Sequence, residues 1–403
     1  MIEPQTCAER SRSRAQRNER LGRGFIGLGF VLGMVLLLLF LVGQEVIRAN
    51  AEINSGNLIP DEPEGGCPVP GNVNRDGWTL DYETSGNDGL RITNVTYQGR
   101  AVLTSASLPE WHVDYNGEYA ASPGFRDVIG CGGSGGGFLI LPYGETEVHD
   151  LQDGSIVVGF EVVQDFRMSQ WGNECNYRYE QRYQFFADGR FRIVAGAYGK
   201  GCGTDPAMQQ PVYRPVIRID IAVNGDNNDS FAFWDGQQWA FQQTELYRTP
   251  YASNFGPHQL NSANQGWLVL DGSGQGYTIE PGLGQFNDGG MADNPFIYVT
   301  LHRPTEGDTD LPSWSINYCC YDDHKQGPEN FVDGEPIGSA NLVLWYVSQS
   351  VTDRLPVAED GDGRFCWTVS GEPDPEAYPC FSGPLFTPFE LSEKTYLPLV
   401  ERP

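Results

Sequence analysis

Positive charge is scarce in this chain of 403 residues. Lysine and arginine together number 26 against 53 aspartates and glutamates, which gives a formal net charge of −27. Only three lysines are present, Lys200, Lys325 and Lys394. A protein that binds nucleic acid needs a basic surface to neutralise phosphates, so this class of partner is excluded. An acidic surface attracts cations, including amines and calcium, although solubility alone explains the charge equally well.

Histidine is also rare, and the usual catalytic and metal-binding motifs are missing. The five histidines are spread over the chain with no two close in sequence: His112, His149, His258, His302 and His324. The number of histidines does not exclude a Ser-His-Asp hydrolase, but the sequence contains no Gly-x-Ser-x-Gly nucleophile elbow. The segment "CCYDDH" at 319–324 collects thiols, carboxylates and an imidazole at a spacing that fits no tetrahedral metal site.

Three glycine-containing segments are predicted to be turns. The segment "GCGGSGGGF" at 130–138 has no following Lys-Ser/Thr pair and no helix signal, which argues against a phosphate-binding loop. The acidic segments "NGDNNDSF" and "AEDGDGRF" could offer oxygen ligands to calcium, but neither matches an EF-hand loop. Ordinary turns are the prediction for all three.

Helical periodicity is missing after residue 50, and short strand-like runs take its place. Glycine (50 residues) and proline (27 residues) are spread through the chain, which is typical of a turn-rich β protein. Runs such as "GSIVVGFEVVQDF" and "RPVIRIDIAV" recur to about residue 352 without an internal boundary. They predict a mainly β fold, one large antiparallel domain over 67–403. The segment 353–403 has few alternating runs and is predicted to wrap over the domain as extended chain.

One long hydrophobic run lies near the N-terminus. Residues 24–43, "GFIGLGFVLGMVLLLLFLVG", are uncharged and mostly apolar, and twenty helical residues just span a bilayer core of about 30 Å. Residues 1–23 carry six arginines and the residues after the run are acidic, which predicts a cytoplasmic tail, a transmembrane anchor and an extracytoplasmic domain beyond a tether at 44–66. A cleaved signal peptide is the alternative, since Ala49-Asn50-Ala51 has the form of a cleavage site, but the run exceeds the usual ~7–15 residues. Under either interpretation, the main domain is expected to be exported.

The cysteine distribution agrees with export. Cys7 lies in the arginine-rich tail, and eight cysteines follow the hydrophobic run: Cys67, Cys131, Cys175, Cys202, Cys319, Cys320, Cys366 and Cys380. An even number in an exported domain predicts disulfides. Their connectivity does not follow from the sequence, except that Cys319 and Cys320 are expected to have separate partners.

An aromatic hairpin is predicted at 172–193, "GNECNYRYEQRYQFFADGRFRI". Alternation in Tyr177-Arg178-Tyr179-Glu180 and in Arg190-Phe191-Arg192-Ile193 indicates two half-buried strands. Ala187-Asp188-Gly189 forms the turn between them.

Several segments, read in order, resemble the catalytic domain of the copper amine oxidases, which oxidise primary amines with a quinone made from one of their own tyrosines. The resemblance covers roughly residues 90 to 350. It implies a β super-sandwich and a homodimer. A larger envelope assembly is the alternative to a dimer. The segments are "VTYQGRAVLTSASLPEWHVDYNGEY", "VIGCGG", "NYRYEQRYQFFADGRF", "RPVIRIDIAVNGDNNDSF", "NQGWLVLDGSGQGYTIEP", "NPFIYVTLHRPTEGD" and "SANLVLWYV".

The resemblance also implies where the site residues would lie. Tyr177 matches the tyrosine that becomes the quinone, and Asn176 before it matches the family pattern, whereas Arg178 stands where an acidic residue is expected. The family's catalytic base maps to Asp114, or to Glu118 if the alignment has a one-residue gap. We take Tyr177 and Asp114 as vestigial catalytic candidates.

The family's copper ligands are not present at the matching positions. The first two histidine positions, counted back from Arg218 and Asp220, fall on Pro211 and Tyr213, and no histidine follows the Trp345-Tyr346 strand. Copper(II) favours imidazole nitrogen, which neither side chain supplies. We therefore expect no copper, no topaquinone and no other cofactor.

Three functions stay open from the sequence. The first is a membrane-anchored extracytoplasmic module that has lost amine oxidation and has a binding or structural role. The second is an active copper/quinone amine oxidase with non-standard metal ligands. The third is a pocket for a cationic small molecule lined by Asp114, Glu118 and Tyr177.

Overall fold

The computed structural model describes eleven stretches of the chain, all within the compact unit Pro63–Pro403. They are 67–114, 125–132, 138–173, 176–199, 212–250, 258–282, 293–307, 326–354, 364–367, 373–374 and 379–391. The predicted tail, anchor and tether at 1–66 lie outside them. None of the helical segments in the described part of the chain has the length and apolar character needed to cross a membrane.

The described residues are mainly β, as predicted, with two short 3-10 turns at Pro304–Glu306 and Pro328–Phe331. The strands are β1 Gly71–Arg75, β2 Trp78–Thr84, β3 Leu90–Tyr97, β4 Arg100–Asp114, β5 Phe125–Ile129, β6 Phe138–Asp153, β7 Ile156–Arg167, β8 Arg178–Phe186, β9 Phe191–Ala197, β10 Val212–Ile221, β11 Ser230–Trp234, β12 Trp239–Phe241, β13 Leu246–Arg248, β14 Trp267–Leu270, β15 Gln275–Glu280, β16 Phe296–Leu301, β17 Leu342–Val347, β18 Ser350–Arg354, β19 Arg364–Trp367, β20 Pro373–Asp374, β21 Cys380–Ser382 and β22 Leu385–Glu390.

The strand pairings form two large sheets. Sheet A has the order β1-β2-β3-β4-β10-β17-β16-β13, and all of these neighbours are antiparallel. Sheet B has the order β6-β7-β8-β9-β22-β15-β14-β11-β12, also antiparallel throughout. Strand β5 links the sheets, because it pairs antiparallel with β4 and parallel with β6. This one parallel pairing departs from the all-antiparallel prediction.

The two sheets pack face to face over one aromatic-rich core. Trp78 of sheet A contacts Phe185 of sheet B with ring centroids 4.9 Å apart, and Trp267 of sheet B meets Tyr346 of sheet A at 5.9 Å. Alternation along each strand places one set of side chains in this shared core. The arrangement is a β sandwich, and it fixes which side chains can meet inside it.

The predicted aromatic hairpin is confirmed. Strands β8 and β9 pair from Tyr179 opposite Ala197 to Phe185 opposite Phe191, and the turn lies at 187–190. Gly189 closes this turn with φ of +90°, a conformation that glycine adopts without strain. Tyr177 immediately precedes β8.

The C-terminal segment does more than wrap over the domain. Strand β22 is extended, as predicted, but it pairs with β15 along its whole length and with β9 at Leu385 and Phe386. Phe386 stacks on Phe191 with centroids 4.3 Å apart and is 1% exposed. The segment therefore completes sheet B.

Two disulfides are present among the described residues. Cys67 is bonded to Cys131, and Cys366 to Cys380. Cys131 belongs to the glycine-rich segment, whose described residues 130–132 form a bend next to this bridge. The other four cysteines of residues 67–403 lie outside the described residues.

Candidate functional site

Tyr177 points into the sandwich. Its side chain is fully buried, as is that of Tyr179 two residues later. Arg178 lies between them on the opposite face of the chain, where its Nε donates to Asp165 Oδ1 at 2.9 Å. The alternation read from the sequence therefore separates an aromatic inner face from a charged outer face.

Four buried rings, Trp111, Tyr177, Tyr179 and Tyr213, form what we call the aromatic cluster. Trp111 stacks on Tyr179 with centroids 3.9 Å apart and planes at 9°. Tyr177 lies parallel to Tyr179 at 6.0 Å. Tyr213 stands edge-on to both tyrosines at 6.2 Å. All four side chains have zero exposure, so the cluster is closed to solvent.

Sheet A brings two of these rings to the same face. In the β4–β10 pairing, Tyr213 lies opposite Val113 and Pro215 lies opposite Trp111. Residues directly opposite in an antiparallel pair project to the same face. Trp111 and Tyr213 therefore both project toward β8 in sheet B.

A buried carboxyl group belongs to the same cluster. Asp127 on β5 lies directly opposite Trp111 and accepts a hydrogen bond from the Tyr179 hydroxyl through Oδ2. Burial raises the pKa of Asp127 to about 8, against a smaller lowering by the Tyr179 hydrogen bond. Burial likewise raises the pKa of Tyr179 well above its usual value. Both groups are therefore neutral at physiological pH, and Asp127 Oδ1 and Trp111 Nε1 have no hydrogen-bond partner among the described residues.

The nearest histidine in sequence to this cluster faces away from it. His112 lies between Trp111 and Val113 and pairs with Arg214, so it projects from the opposite face of sheet A. There its Nε2 lies 2.7 Å from Glu110 Oε2 and its Nδ1 lies 2.8 Å from Gln326 Oε1. Both ring nitrogens are thus occupied in a separate buried polar group.

The other described histidines have protein partners elsewhere. His302 Nδ1 lies 2.7 Å from Asp220 Oδ2, and His258 Nε2 lies 2.7 Å from the Pro295 carbonyl. Burial lowers the pKa of His258 to about 4. His149 pairs with Glu147 on the surface, and His324 lies outside the described residues.

The sequence-predicted residues are only partly placed. Asp114 ends β4, and its backbone pairs with Val212 next to Tyr213. Glu118 and Pro211 lie outside the described residues. The structure thus brings Tyr177 and Tyr213 together. For Asp114 it describes only the position of the backbone.

Only one group of three metal-ligating side chains comes together in the described part of the chain, namely Glu245, Asp333 and Glu335. It contains oxygen ligands alone, which do not fit copper(II). Glu245 Oε1 accepts from the Leu301 N–H at 2.8 Å and its Oε2 from the Asp333 N–H at 3.0 Å. These bonds hold a loop to the end of β16.

The segment "NGDNNDSF" forms a turn, as predicted. Asn224 and Asn227 have positive φ angles, and the Val223 N–H donates to Asp229 Oδ1 at 3.2 Å. Burial is the main cause that raises the pKa of Asp229 to about 8.

Comparison with solved structures finds a distant similarity to amine oxidases. A lysyl oxidase from Pichia pastoris shares 16% identity with a TM-score of 0.48, over 83% of this chain and 54% of that one. An amine oxidase from Aspergillus nidulans shares 15% at a TM-score of 0.47, over 83% and 55%. A copper-containing benzylamine oxidase from Hansenula polymorpha shares 14% at 0.44, over 84% and 64%. No protein-family model and no curated protein matches the chain.

The chain spans about half to two thirds of the length of these solved structures. At this level of identity the likeness concerns the arrangement of strands and says nothing about the chemistry of the site.

Sequence reasoning identified Tyr177 and Tyr213 but missed the partners that surround them. Asp127 belongs to a short strand, "FRDVI", and its only signal is the charged pair Arg126-Asp127 next to apolar residues. Trp111 stands in "PEWHVD", where alternation with Glu110 and His112 indicates that the two sets of side chains face opposite ways. The meeting of β4, β5, β8 and β10 depends on pairings between distant segments, which local patterns do not specify.

Proposed function

We propose that this protein is an exported module with a copper-amine-oxidase-like fold that does not oxidise amines and has a binding or structural role. The observation that carries the proposal is the aromatic cluster: Tyr177, the residue matched to the quinone tyrosine, is fully buried between Tyr179 and Tyr213. An oxidase needs a metal, oxygen and an amine next to this residue, whereas rings occupy the space on two sides of it.

The residues around Tyr177 do not fit copper. One expected ligand position holds Tyr213, a poor ligand in its neutral form. His112, the neighbour of Trp111 in sequence, projects from the other face of sheet A and is engaged by Glu110 and Gln326. These residues therefore do not support amine oxidation through copper and a quinone.

The buried carboxyl group near Tyr177 also does not suit proton abstraction from an amine-derived substrate. A general base must be ionised and within reach of the substrate. Asp127 is fully buried and already accepts a hydrogen bond from Tyr179, so a substrate cannot reach it. In this state the pair supports the packing of the two sheets.

We further propose that residues 24–43 anchor the protein in a membrane with the β domain on the extracytoplasmic side. The two disulfides support this placement, because such bonds persist in oxidising compartments. A homodimer or a larger membrane assembly is part of the same proposal.

Loading the purified full-length chain with copper under air tests the proposal. Bound copper is measured by mass spectrometry of the metal, and the peptide that contains Tyr177 is examined for the mass of an unmodified tyrosine. We expect substoichiometric copper, a negative redox-cycling stain and an unmodified Tyr177. One copper per chain together with a positive stain would establish the active oxidase with non-standard ligands and reject the proposal.

A further inference from the structure

A cleft of about 450 Å³ opens at the end of the sandwich where the β3–β4 and β8–β9 turns lie. Its floor is formed by buried residues from both sheets, Val102, Val223 and Tyr277. Its rim carries exposed polar side chains from four segments, Arg100, Asp188, Asn224 and Glu390. The volume lies within the range of about 300–1,000 Å³ typical of small-molecule sites.

The cleft is separate from the aromatic cluster. Strand β8 begins next to Tyr177 and ends at Phe186, just before the turn that carries Asp188. At roughly 3.3 Å per residue, these nine positions place the two sites about 30 Å apart. Ligand binding in the cleft is therefore independent of the function proposed for the Tyr177 region.

The polar side chains of the cleft are held in place by hydrogen bonds. Arg100 donates to Gln275 Oε1 at 2.7 Å, and Asn224 Nδ2 donates to Asp271 Oδ2 at 2.6 Å. Gln275 also lines the cleft, so an amide and a guanidinium are fixed next to each other. Groups that are already ordered lose less entropy when a ligand binds.

An aromatic side chain of the wall is fixed as well. The Tyr97 ring packs on Trp78 with centroids 4.7 Å apart, and its hydroxyl donates to the Ala187 carbonyl at 2.9 Å. Tyr277 contributes a second ring to the floor. The cleft thus offers two tyrosines alongside amide, guanidinium and carboxylate groups.

Charged groups of both signs line the cleft. Arg100 and Glu390 line it with opposite signs, and Asp188 is paired with Arg190, whose Nε donates to Asp188 Oδ2 at 2.8 Å. An anionic ligand would meet two carboxylates, and a cationic ligand would meet Arg100. A neutral ligand with many hydroxyl groups can use both kinds of charged group and the amides of Gln98, Asn224 and Gln275, while its C–H faces pack on the tyrosines.

From this arrangement we propose that the cleft binds a neutral carbohydrate. The amides and charged groups of the rim form hydrogen bonds with the hydroxyls, and Tyr97 and Tyr277 contact the sugar ring. This role is independent of whether the protein oxidises amines, so a failure of one proposal leaves the other intact.

Calorimetric titration of the full-length protein with N-acetylglucosamine, glucose, galactose, cellobiose and maltose tests the proposal. We expect at least one sugar to bind, and Arg100→Ala to weaken that binding by about tenfold. Arg303→Ala is the matched control, because Arg303 is also a partly exposed arginine that forms an ion pair, with Glu335, outside the cleft. It should leave the affinity unchanged.

A second variant and two further probes keep the test decisive. Glu390→Gln changes an exposed rim residue with little change of shape and should also weaken sugar binding, with an unchanged thermal midpoint showing that the variant folds. Choline and inorganic phosphate serve as charged probes. The proposal is rejected if none of the five sugars binds, if binding is equally lost in Arg303→Ala, or if only choline or phosphate shows binding sensitive to Arg100→Ala.

Discussion

The ring of Tyr213 stands edge-on to that of Tyr177, with centroids 6.2 Å apart and planes at 78°. The two residues are 36 positions apart in sequence and come from opposite sheets. Each ring fills space that the other would otherwise leave open. The contact makes this region a packed part of the core, and its stability can be tested directly.

Removal of the Tyr179 hydroxyl should destabilise the protein. In Tyr179→Phe the buried Asp127 loses the hydrogen bond to its Oδ2. A buried polar group left without its partner costs about 1–3 kcal/mol, so the free energy of unfolding in urea should fall by that amount. Tyr247→Phe, at a tyrosine that is 43% exposed, is the control and should change it little. Equal stability of the two variants would contradict the role assigned to the hydrogen bond.

Stability should depend on pH through Asp127. Its folded pKa of about 8 lies above the usual value of 3.8, so the folded state binds the proton more tightly than the unfolded state. The contribution of this group is therefore fully present below about pH 4 and is lost as the pH rises toward 8, by at most about 1.4 kcal/mol per pH unit. Asp127→Asn removes this loss.

Urea unfolding at pH 5 and pH 7.5 measures this effect. The free energy of unfolding of Asp127→Asn minus that of the unchanged protein should be larger, meaning a relatively more stable variant, at pH 7.5 than at pH 5. The comparison isolates Asp127 from other buried carboxyl groups with raised pKa values, such as Asp229 and Asp293. The same difference at both pH values would show that Asp127 does not titrate as described.

Loss of Phe386 should have the effect of a core mutation. The Phe386 ring is 1% exposed and stacks on Phe191, so Phe386→Ala should lower the free energy of unfolding by about 3–5 kcal/mol. Phe241 is 43% exposed, and Phe241→Ala is the matched control with a much smaller effect. If both variants lose the same small amount, β22 does not belong to the core.

The two disulfides should differ in their contribution. Cys366 and Cys380 close a loop with a sequence separation of 14, whereas the separation of Cys67 and Cys131 is 64. Loop entropy predicts that replacing the pairs with alanine costs about 3 and about 4 kcal/mol respectively. Thermal unfolding of the two double variants shows which disulfide contributes more to stability. A larger loss for the shorter loop would show that loop closure is not the main source of the stabilisation.

The sequence predicted those parts of the fold and site that depend on local patterns. Alternating aromatic and charged residues predicted β8, β9 and the direction in which Tyr177 and Tyr179 point. Proximity of Tyr177 and Tyr213 followed from the family resemblance. The contacts of Trp111 and Asp127 could not be predicted, since they require the sheets to be assembled from strands far apart in the chain.

Strand β22 was missed for a physical reason. Its sequence "LFTPFE" contains Pro388, and proline argues against a strand with partners on both sides. The structure accommodates it because β22 pairs with β9 only at Leu385 and Phe386, so Pro388 has its ladder partner Tyr277 on one side alone.

The place of β22 between β9 and β15 also determines when sheet B can assemble during synthesis. Without it, sheet B falls into two groups of strands, one ending at β9 and the other at β15. Phe386 is synthesised 195 residues after its partner Phe191. At a synthesis rate of about 5–20 residues per second, the edge of β9 stays unpaired for roughly 10–40 s before β22 is made. An open strand edge can pair with other chains, so the newly made protein is exposed to aggregation with its copies until β22 has been synthesised.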